Sequence, residues 1–583
     1  MIILSSCYLL LINAVTSRRD KTLSHNRITT LILLYSTFLA LNSLHMTCIE
    51  TGIGVYGGLF LVTTITQNFV VFIFILSFLY IQIESFYCRN LQDINDPDAA
   101  YDKGWSAPFD PSLVGILDTS VNADGQYNIM VISSLLDFPI IILFILTGAV
   151  CLMSCCDLIT MFLCLELQSY GLYILCSIYR NSELVIGAGL TYFLLGGLSS
   201  CFILLGSGLL YANTGLTYLD GIYMIYNLSD TMITQGQEII SLLEYQVKTW
   251  IKSDEINSIH TFDMSLIILS VGYLFKVSST PFHFWSPDVY DALPTIITCF
   301  VAVMAKISIF IFMLDLVHFA SGAKTEFTWT DILLISSFFS LIIGTIVGLI
   351  QVRIKKLFAY STISHVGFIL LALTINTIES IQAFIFYLIQ YSLSNLNFFI
   401  ILLTMGYYLY YYYPTMKMTD QVNSPLQFID QLKGFFNKNH MLSLCLAITL
   451  FSFAGIPPLI GFFGKQLVLS AALDKGFYFM TLVAIITSAI GASYYLVIIK
   501  SIYFDKDRQI ADEHFVEIIY DIYWNSFKLR GEKVNILKNK NRLLSTSLSL
   551  IISGLTLIIL LFIIKPLFLL SLVSVLALIL FNT

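Results

Sequence analysis

Glu166, Lys276, Lys306 and Lys465 are ionisable side chains inside long apolar stretches of the sequence. A charged group in such a setting is unfavourable unless it is paired or hydrated. A glutamate–lysine pair whose separation changes would bind protons with changing affinity, because each charge stabilises the other. We therefore predict a proton relay through the three lysines, with Glu166 modulating the first. For any one lysine alone, a buried structural ion pair remains the alternative.

Other polar residues in apolar stretches are weaker candidates. His365 has a side chain whose ordinary titration range suits a relay, but a hydrogen-bonded core histidine is an equal alternative. His283 is less favoured. Asp157 and Asp288 are expected to be helix caps by default, with entrance residues of the proton path as the alternative. Lys565 lies near the chain end, where it can reach the membrane surface, and is set aside.

Prolines interrupt two of the apolar stretches beside a lysine. In FKVSSTPFHFWSPDVYDALPT, Pro281 follows Lys276 by five residues, and FSFAGIPPLIGFFGK places Pro457 and Pro458 before Lys465. Proline removes a backbone donor and breaks a helix. Freed backbone groups persist at membrane depth only where protein or a water-filled cavity satisfies them. The two breaks therefore predict a polar pathway, with a simple packing kink as the alternative.

Composition identifies the elements that must position these groups. Of 583 residues, 57% are hydrophobic and 11% charged, whereas soluble domains have roughly a quarter charged. This excludes a soluble enzyme and a disordered chain, and the net charge of −7 gives no nucleic-acid footprint. Cys151, Cys155 and Cys156 lack metal-ligand spacing and are interpreted as apolar filler. The fold class predicted is an all-α polytopic membrane protein.

Taking about 20 residues for each span, we predict fourteen transmembrane helices and no membrane-spanning strands. They are residues 1–16, 28–48, 53–84, 138–154, 156–178, 184–211, 264–284, 292–316, 330–351, 357–375, 378–410, 441–470, 478–500 and 543–580, the last of which Lys565–Pro566 could split. Spans 4–8 and 9–13 form two sets of five, each with its broken helix in fourth place. Because five is odd, the second set must be inverted relative to the first.

The resulting organisation has five parts. They are three N-terminal helices in 1–84, a polar insertion in 85–137, the first five-helix repeat in 138–316 with an insertion in 213–262, the second repeat in 330–503 with an insertion in 411–440, and a polar segment with a C-terminal helix in 504–583.

The positions of basic residues support the span count. We name the side of the N-terminus side B and the other side A. Side A holds 22 of the 30 lysines and arginines, among them Arg353, Lys355, Lys356, Lys433 and Lys438, whereas side B holds 4. The positive-inside rule makes side A the cytoplasm or the mitochondrial matrix, so both termini are expected on the outer side.

Several segments, in order, resemble subunit 2 of respiratory complex I, an antiporter-like membrane subunit. They include CDLITMFLCLELQSYGLYIL, FKVSSTPFHFWSPDVYDALPT, VMAKISIF, KKLFAYSTISHVGF, YSLSN and FSFAGIPPLIGFFGK, and the resemblance covers about residues 138–505. It assigns Glu166, Lys276, Lys306 and Lys465 to the family's helix-five, -seven, -eight and -twelve positions. Thr191 departs from bacterial relatives, which often have lysine there.

The resemblance implies proton translocation coupled to NADH:ubiquinone oxidoreduction elsewhere in the complex. It implies no cofactor in this chain, with FMN, iron–sulfur clusters and ubiquinone in partner subunits. Expected partners are a small 4L-type chain, antiporter-like subunit 4, accessory subunits and lipids such as cardiolipin. The expected location is the mitochondrial inner membrane, with a bacterial or thylakoid membrane as the alternative. A free-standing cation/proton antiporter and a non-conducting structural subunit are the alternative functions.

Overall fold

Nearly all of the described chain is α-helical, as the long apolar stretches predict. The computed structural model describes residues 1–15, 21–46, 49, 52–95, 129–179, 182–226, 254–320, 328–412, 426–505 and 546–582. Most of the predicted polar insertions, and residues 506–545 of the predicted C-terminal part 504–583, lie outside these residues.

The N-terminal part contains a small hairpin that the sequence analysis missed. Helices α1 (Ile2–Val15) and α2 (Lys21–Ser43) come first, and strands β1 (Ile53–Val55) and β2 (Phe60–Val62) lie between α2 and α3 (Thr64–Asn95). The strands are antiparallel, and Gly57 and Gly58 turn between them with φ of 72° and 90°. The prediction of one continuous span over 53–84 is therefore wrong, because glycines able to adopt positive φ turn the chain back before the helix begins.

Two groups of helices follow. The first comprises α4 (Ile129–Ser154), α5 (Leu158–Cys176), α6 (Glu183–Thr214), α7 (Asp254–Val277), α8 (Trp285–Ala292) and α9 (Thr295–Phe319). The second comprises α10 (Trp329–Ile350), α11 (Ile354–Ile375), α12 (Ile378–Tyr412), α13 (His440–Ala454), α14 (Ile460–Asp474) and α15 (Tyr478–Tyr503). The breaks predicted at the prolines are the gaps between α7 and α8 and between α13 and α14.

The C-terminal apolar stretch divides at Lys565. Helix α16 (Thr546–Leu561) and a short 3-10 turn precede α17 (Pro566–Asn582). The two arms are bent by 89° at this point. Proline cannot continue the preceding helix, so the predicted split at Lys565–Pro566 is present.

The two groups share close helix crossings at glycine. A Cβ on Gly148 of α4 would lie 2.7 Å from the backbone nitrogen of Gln168 in α5. A Cβ on Gly344 of α10 would lie 2.7 Å from the backbone nitrogen of Ser364 in α11. Only glycine permits backbones to approach so closely, and it does so at matching places in both groups.

The loops at the starts of α5 and α11 match as well. The amide of Leu158 donates to the carbonyl of Thr217 at 3.0 Å, and the amide of Ile354 donates to the carbonyl of Gln427 at 2.9 Å. Thr217 lies just after α6, the helix that follows α5. Gln427 lies in the segment after α12, the helix that follows α11. These paired contacts support a repeat of the two groups, while its inverted orientation and the number of spans stay predictions.

Eight helices of the described chain are long and apolar enough to cross a membrane, and the bent C-terminal pair would make a ninth. Among them α9 is buried along its whole apolar length, so it lies inside the bundle rather than on its rim. By contrast, α5, α6 and α15 expose many large apolar side chains. Apolar outer faces suit contact with lipid or with neighbouring membrane chains.

Candidate functional site

At the first break, side chains that follow α7 donate hydrogen bonds to the carbonyls at the end of that helix. Helix α7 ends at Val277, which leaves its last carbonyls without helical donors. The indole nitrogen of Trp285 donates to the carbonyl of Phe275 at 2.9 Å. The hydroxyl of Ser279 donates to the carbonyl of Leu274 at 3.2 Å. Because these bonds supply donors to the carbonyls of Leu274 and Phe275, the Lys276 ammonium is not needed as their donor.

Lys276 points instead to Glu166 on α5. Its Nζ lies 3.4 Å from Glu166 Oε1 and 3.5 Å from the hydroxyl oxygen of Tyr173. Only 7% of the lysine side chain and 13% of the glutamate side chain are exposed. The predicted pair is therefore in contact, and a tyrosine one heptad from Glu166 is its third member.

Lys306 lies in the fully buried α9 with 2% of its surface exposed. Among the described residues, its Nζ has no hydrogen-bond partner. It lies 6.0 Å from the centre of the Tyr290 ring, an arrangement typical of a cation–π contact. A buried ammonium with no hydrogen-bond partner is unfavourable unless it is hydrated.

Buried polar contacts connect the helix of Glu166 with the helix of Lys306. Ser308 donates to the side-chain oxygen of Gln168 at 2.9 Å, and the Gln168 nitrogen donates to the carbonyl of Ala305 at 3.3 Å. Because Gln168 lies two residues after Glu166, these bonds fix α5 against α9 beside both charged groups.

His365 in α11 is held by two tyrosines. Its Nδ1 lies 2.8 Å from the Tyr387 hydroxyl, and its Nε2 lies 3.3 Å from the Tyr495 hydroxyl. Only 3% of the histidine is exposed. Each hydroxyl can donate or accept, so either ring nitrogen can carry the proton. A group with two such neighbours can change tautomer without moving.

At the second break, the lysine itself bonds to the carbonyls at the end of the interrupted helix. Helix α13 ends at Ala454, and the cap residue that follows, Gly455, takes a φ of 82°. Lys465, in α14, donates to the carbonyls of Phe453 and Ala454 at 2.9 and 3.0 Å. The ammonium therefore lies at the negative end of α13, where helix carbonyls favour a cation.

The weaker candidates differ in what they contact. Asp157 caps α5 and accepts a hydrogen bond from the amide of Thr160, as predicted. Asp288 is not the N-cap residue that was expected: it lies inside the first turn of α8, whose N-cap is Phe284, and it forms an ion pair with Lys356 at 2.9 Å. His283 stacks near Phe284.

The five predicted residues are brought together to different degrees. Glu166 and Lys276 are in direct contact, whereas no hydrogen bond within the described chain joins Lys306, His365 and Lys465. Helix α11 packs against α9, α12 and α14. His365 is therefore placed between the helices of the other two lysines, as predicted.

Sequence reasoning missed the tyrosines. Tyr173, Tyr387 and Tyr495 all contact a predicted residue. The heptad spacing of Tyr173 from Glu166 was a readable signal, because such residues share a helix face. Tyr387 and Tyr495 come from α12 and α15, and no spacing along the chain relates them to His365.

No group of histidine, cysteine, aspartate and glutamate in the described ranges could hold a metal ion. Cys155 is buried and packs in the main hydrophobic core, in keeping with the interpretation of the cysteines as apolar filler.

Comparison with known proteins identifies the family. Residues 155–491 match the family described as NADH:quinone oxidoreductase/Mrp antiporter, TM. The chain is 43% identical to NADH-ubiquinone oxidoreductase chain 2 of Rhizopus oryzae, with all of both chains covered. NADH-quinone oxidoreductase subunit N of Rhodospirillum rubrum is 32% identical over 64% of this chain and 69% of its own.

A solved structure shares the fold. One chain of respiratory complex I from Thermus thermophilus, determined with bound aureothin, superposes with a TM-score of 0.64 at 21% identity and covers 97% of each chain. At this identity the likeness concerns the fold alone. Together with the full-length relative, it agrees with the helical membrane architecture expected from the sequence. The chain belongs to the antiporter-like membrane-subunit family of complex I, as a member of its NADH-ubiquinone oxidoreductase chain 2 branch.

Proposed function

We propose that this chain conducts protons across the mitochondrial inner membrane as a membrane-arm subunit of complex I. NADH oxidation and ubiquinone reduction would take place in partner subunits, which would carry the FMN and iron–sulfur clusters. The chain would contact a 4L-type chain, subunit 4, accessory subunits and lipids such as cardiolipin. Both termini would face the intermembrane space. Full-length similarity to a mitochondrial chain 2 supports this assignment.

The observation that carries the proposal is that the three buried lysines differ in the partners of their ammonium groups. Lys276 is paired with an acid, Lys306 has no partner within the described chain, and Lys465 is bonded to backbone carbonyls. A purely structural lysine would be paired, since an unpaired buried charge is strongly unfavourable. The missing partner of Lys306 therefore supports a relay role, in which the lysine gains and loses its proton, over a purely structural role.

The proposed order runs from side A to side B. Protons are taken up near Glu166 and Lys276, pass through Lys306 and His365, and leave near Lys465. Movement of Glu166 away from Lys276 would destabilise the charged lysine and release its proton inward, because the opposite charge favours the protonated form. Redox chemistry in the partner subunits would drive that movement.

Pumping measurements on the assembled complex test the proposal. Lys276→Ala and Lys465→Ala complexes, reconstituted in liposomes, are expected to pump fewer protons for each NADH oxidised. Lys565→Ala is the matched control, since Lys565 is exposed at the C-terminal bend. Unchanged pumping in both test variants, with normal assembly, would refute the relay.

Two other functions make different predictions. A free-standing cation/proton antiporter would purify without flavin or iron–sulfur absorbance and would exchange cations without partners. A structural subunit with a closed channel would keep full pumping in all the lysine variants. Purification of a very large complex with both absorbance signatures would exclude the first of these.

A further inference from the structure

A row of buried polar side chains lies along one face of α12. Gln390, Asn397 and Thr404 follow one another at intervals of seven residues, so at 100° per residue each points about 20° away from the one before it and all three share one face. They are 2%, 0% and 3% exposed. We call these three residues the α12 polar row. Helix α12 packs against both α13 and α14, the two halves of the second broken helix.

One end of the row approaches side A. Tyr408 lies one turn beyond Thr404 on the same face, and its hydroxyl donates to the carbonyl of Lys438 at 3.0 Å. Lys438 lies two residues before α13 and belongs to the predicted side A loop. The polar face of α12 therefore extends to the start of α13.

The other end of the row meets the second break. A Cβ on Gly461 would lie 1.8 Å from the carbonyl oxygen of Ser452 and 3.2 Å from the side-chain nitrogen of Gln390. A Cβ on Gly464 would lie 2.9 Å from the side-chain oxygen of Gln390. Lys465 is the next residue. The amide of Gln390 is thus inserted where α13 and α14 approach each other, next to the lysine.

Several polar groups along and beside the row lack protein partners, whereas the Thr404 hydroxyl donates to the carbonyl of Ile401 in its own helix at 2.8 Å. Within the described chain, both side-chain atoms of Asn397, the oxygen of Gln390 and the hydroxyl of Ser452 form no hydrogen bond. Buried polar atoms are nearly always bonded to protein or to water. A donor and an acceptor on one amide, with further polar atoms along the row, match the two to four bonds that a buried water makes.

We propose that the α12 polar row is a water-filled inlet that loads Lys465 directly from side A. The inference rests on the proposed function and extends it. The amides hold water and do not themselves take up protons, so Gln390 and Asn397 are positioning residues. Lys465 would then receive protons by two routes, one through Lys306 and His365 and one along α12. The second group of helices would have its own uptake path.

Side-specific labelling of introduced cysteines tests the inlet. Asn397→Cys and Leu396→Cys would be made in the assembled complex. Leu396 is 1% exposed and lies one residue away on a different face, so it matches the depth but not the polar row. Methanethiosulfonate ethylammonium is added on one side of sealed membranes, with a thiol scavenger on the other, and peptides are quantified by mass spectrometry. An impermeant amine reagent that modifies Lys433 identifies side A.

We expect the N397C thiol to react from side A about tenfold faster than the L396C thiol, because reaction needs a hydrated, accessible thiolate. Equal rates for the two thiols, or reaction of the N397C thiol from side B only, would overturn the inlet. NADH:quinone activity of each variant confirms assembly. If Asn397→Cys does not assemble, Thr404→Cys against Leu403→Cys applies the same test nearer side A.

The result separates the inlet from the relay. Labelling does not depend on pumping, so slow labelling together with lost pumping in Lys276→Ala and Lys465→Ala overturns the inlet alone. Unchanged pumping in those two variants refutes the relay whatever the labelling.

Discussion

The two broken helices use their lysines in different ways. At the first break, Ser279 and Trp285 bond to the freed carbonyls, and Lys276 is left to face Glu166. At the second break, Lys465 itself bonds to the freed carbonyls of α13. The first lysine is thus held by a charge that can be removed by protonation or movement. The second is held by fixed backbone dipoles and responds only when the helix ends move.

The difference suggests how two similar broken helices could serve as two distinct stages of a proton relay. A titratable partner makes the first site sensitive to electrostatic changes at α5, which carries Glu166 and an exposed apolar face. The backbone carbonyls that hold Lys465 make the second site sensitive to the distance between α13 and α14 at the break. Coupling between them would pass through α11, whose His365 contacts tyrosines from two other helices.

The largest expected effect concerns the close approach at the second break. In Gly461→Ala the new Cβ would lie 1.8 Å from the backbone oxygen of Ser452, and rigid backbone cannot give way at small cost. We expect destabilisation of about 3 kcal/mol and greatly reduced assembly on native gels.

Gly196→Ala is the informative comparison. Its Cβ would also lie 1.8 Å from an atom, but that atom is the hydroxyl of Tyr173, the end of a side chain. Assembly should survive while the contact of Tyr173 with Lys276 shifts. Gly554→Ala, which has open space around it, is the control. Equal loss of assembly in all three would contradict the packing argument.

The second prediction separates the two kinds of lysine partner. Lys276→Met leaves Glu166 buried without its cation, which should destabilise the complex by about 3 kcal/mol. Adding Glu166→Gln should restore much of that stability, because no uncompensated charge remains. Thermal inactivation of the single and double variants measures the coupling.

Lys465 should behave differently in the same assay. Lys465→Met leaves two carbonyls without a donor, with an expected loss of about 2 kcal/mol, and Glu166→Gln should not restore it. Lys465→Gln keeps an amide donor and should be milder. Rescue of Lys465→Met by Glu166→Gln would show that the two sites are not distinct.

Tyrosine substitutions should have moderate effects graded by distance. Tyr387→Phe removes the hydroxyl at 2.8 Å from His365 and should cost about 1 kcal/mol and lower pumping. Tyr495→Phe, at 3.3 Å, and Tyr173→Phe, at 3.5 Å from Lys276, should have smaller effects. Pumping for each NADH oxidised is the measurement, and a reversed order would contradict these contacts.

The smallest effect is expected at the surface link between α8 and α11. Lys356 pairs with Asp288, but their side chains are 30% and 77% exposed. Lys356→Ala should cost less than about 1 kcal/mol and leave pumping unchanged. A large pumping defect would mean that this contact transmits motion between the two breaks.

The sequence predicted those features that depend on near neighbours in the chain. Apolar stretches located most helices, and prolines located both breaks and the bend at Lys565. The hairpin before α3 was missed because its strands are as apolar as the helix that follows. Composition alone does not distinguish a short strand from the start of a span.

Features that depend on distant contacts were not predictable in this way. Lys276 and Glu166 were paired on the basis of charge, and their side chains lie 3.4 Å apart. The carbonyl cradle of Lys465 depends on how closely α14 approaches the end of α13. The tyrosines around His365 depend on the packing of three helices. No periodicity in the sequence encodes these distances.

Lys306→Met tests the central claim most directly. Lys306 has no hydrogen-bond partner within the described chain, so a neutral side chain of similar length removes the proton site without leaving a described partner unsatisfied. The measurement is the number of protons pumped for each NADH oxidised by the assembled complex in liposomes, beside Lys565→Met. The relay predicts normal assembly and a lowered ratio for Lys306→Met only. An unchanged ratio in a normally assembled complex would contradict it.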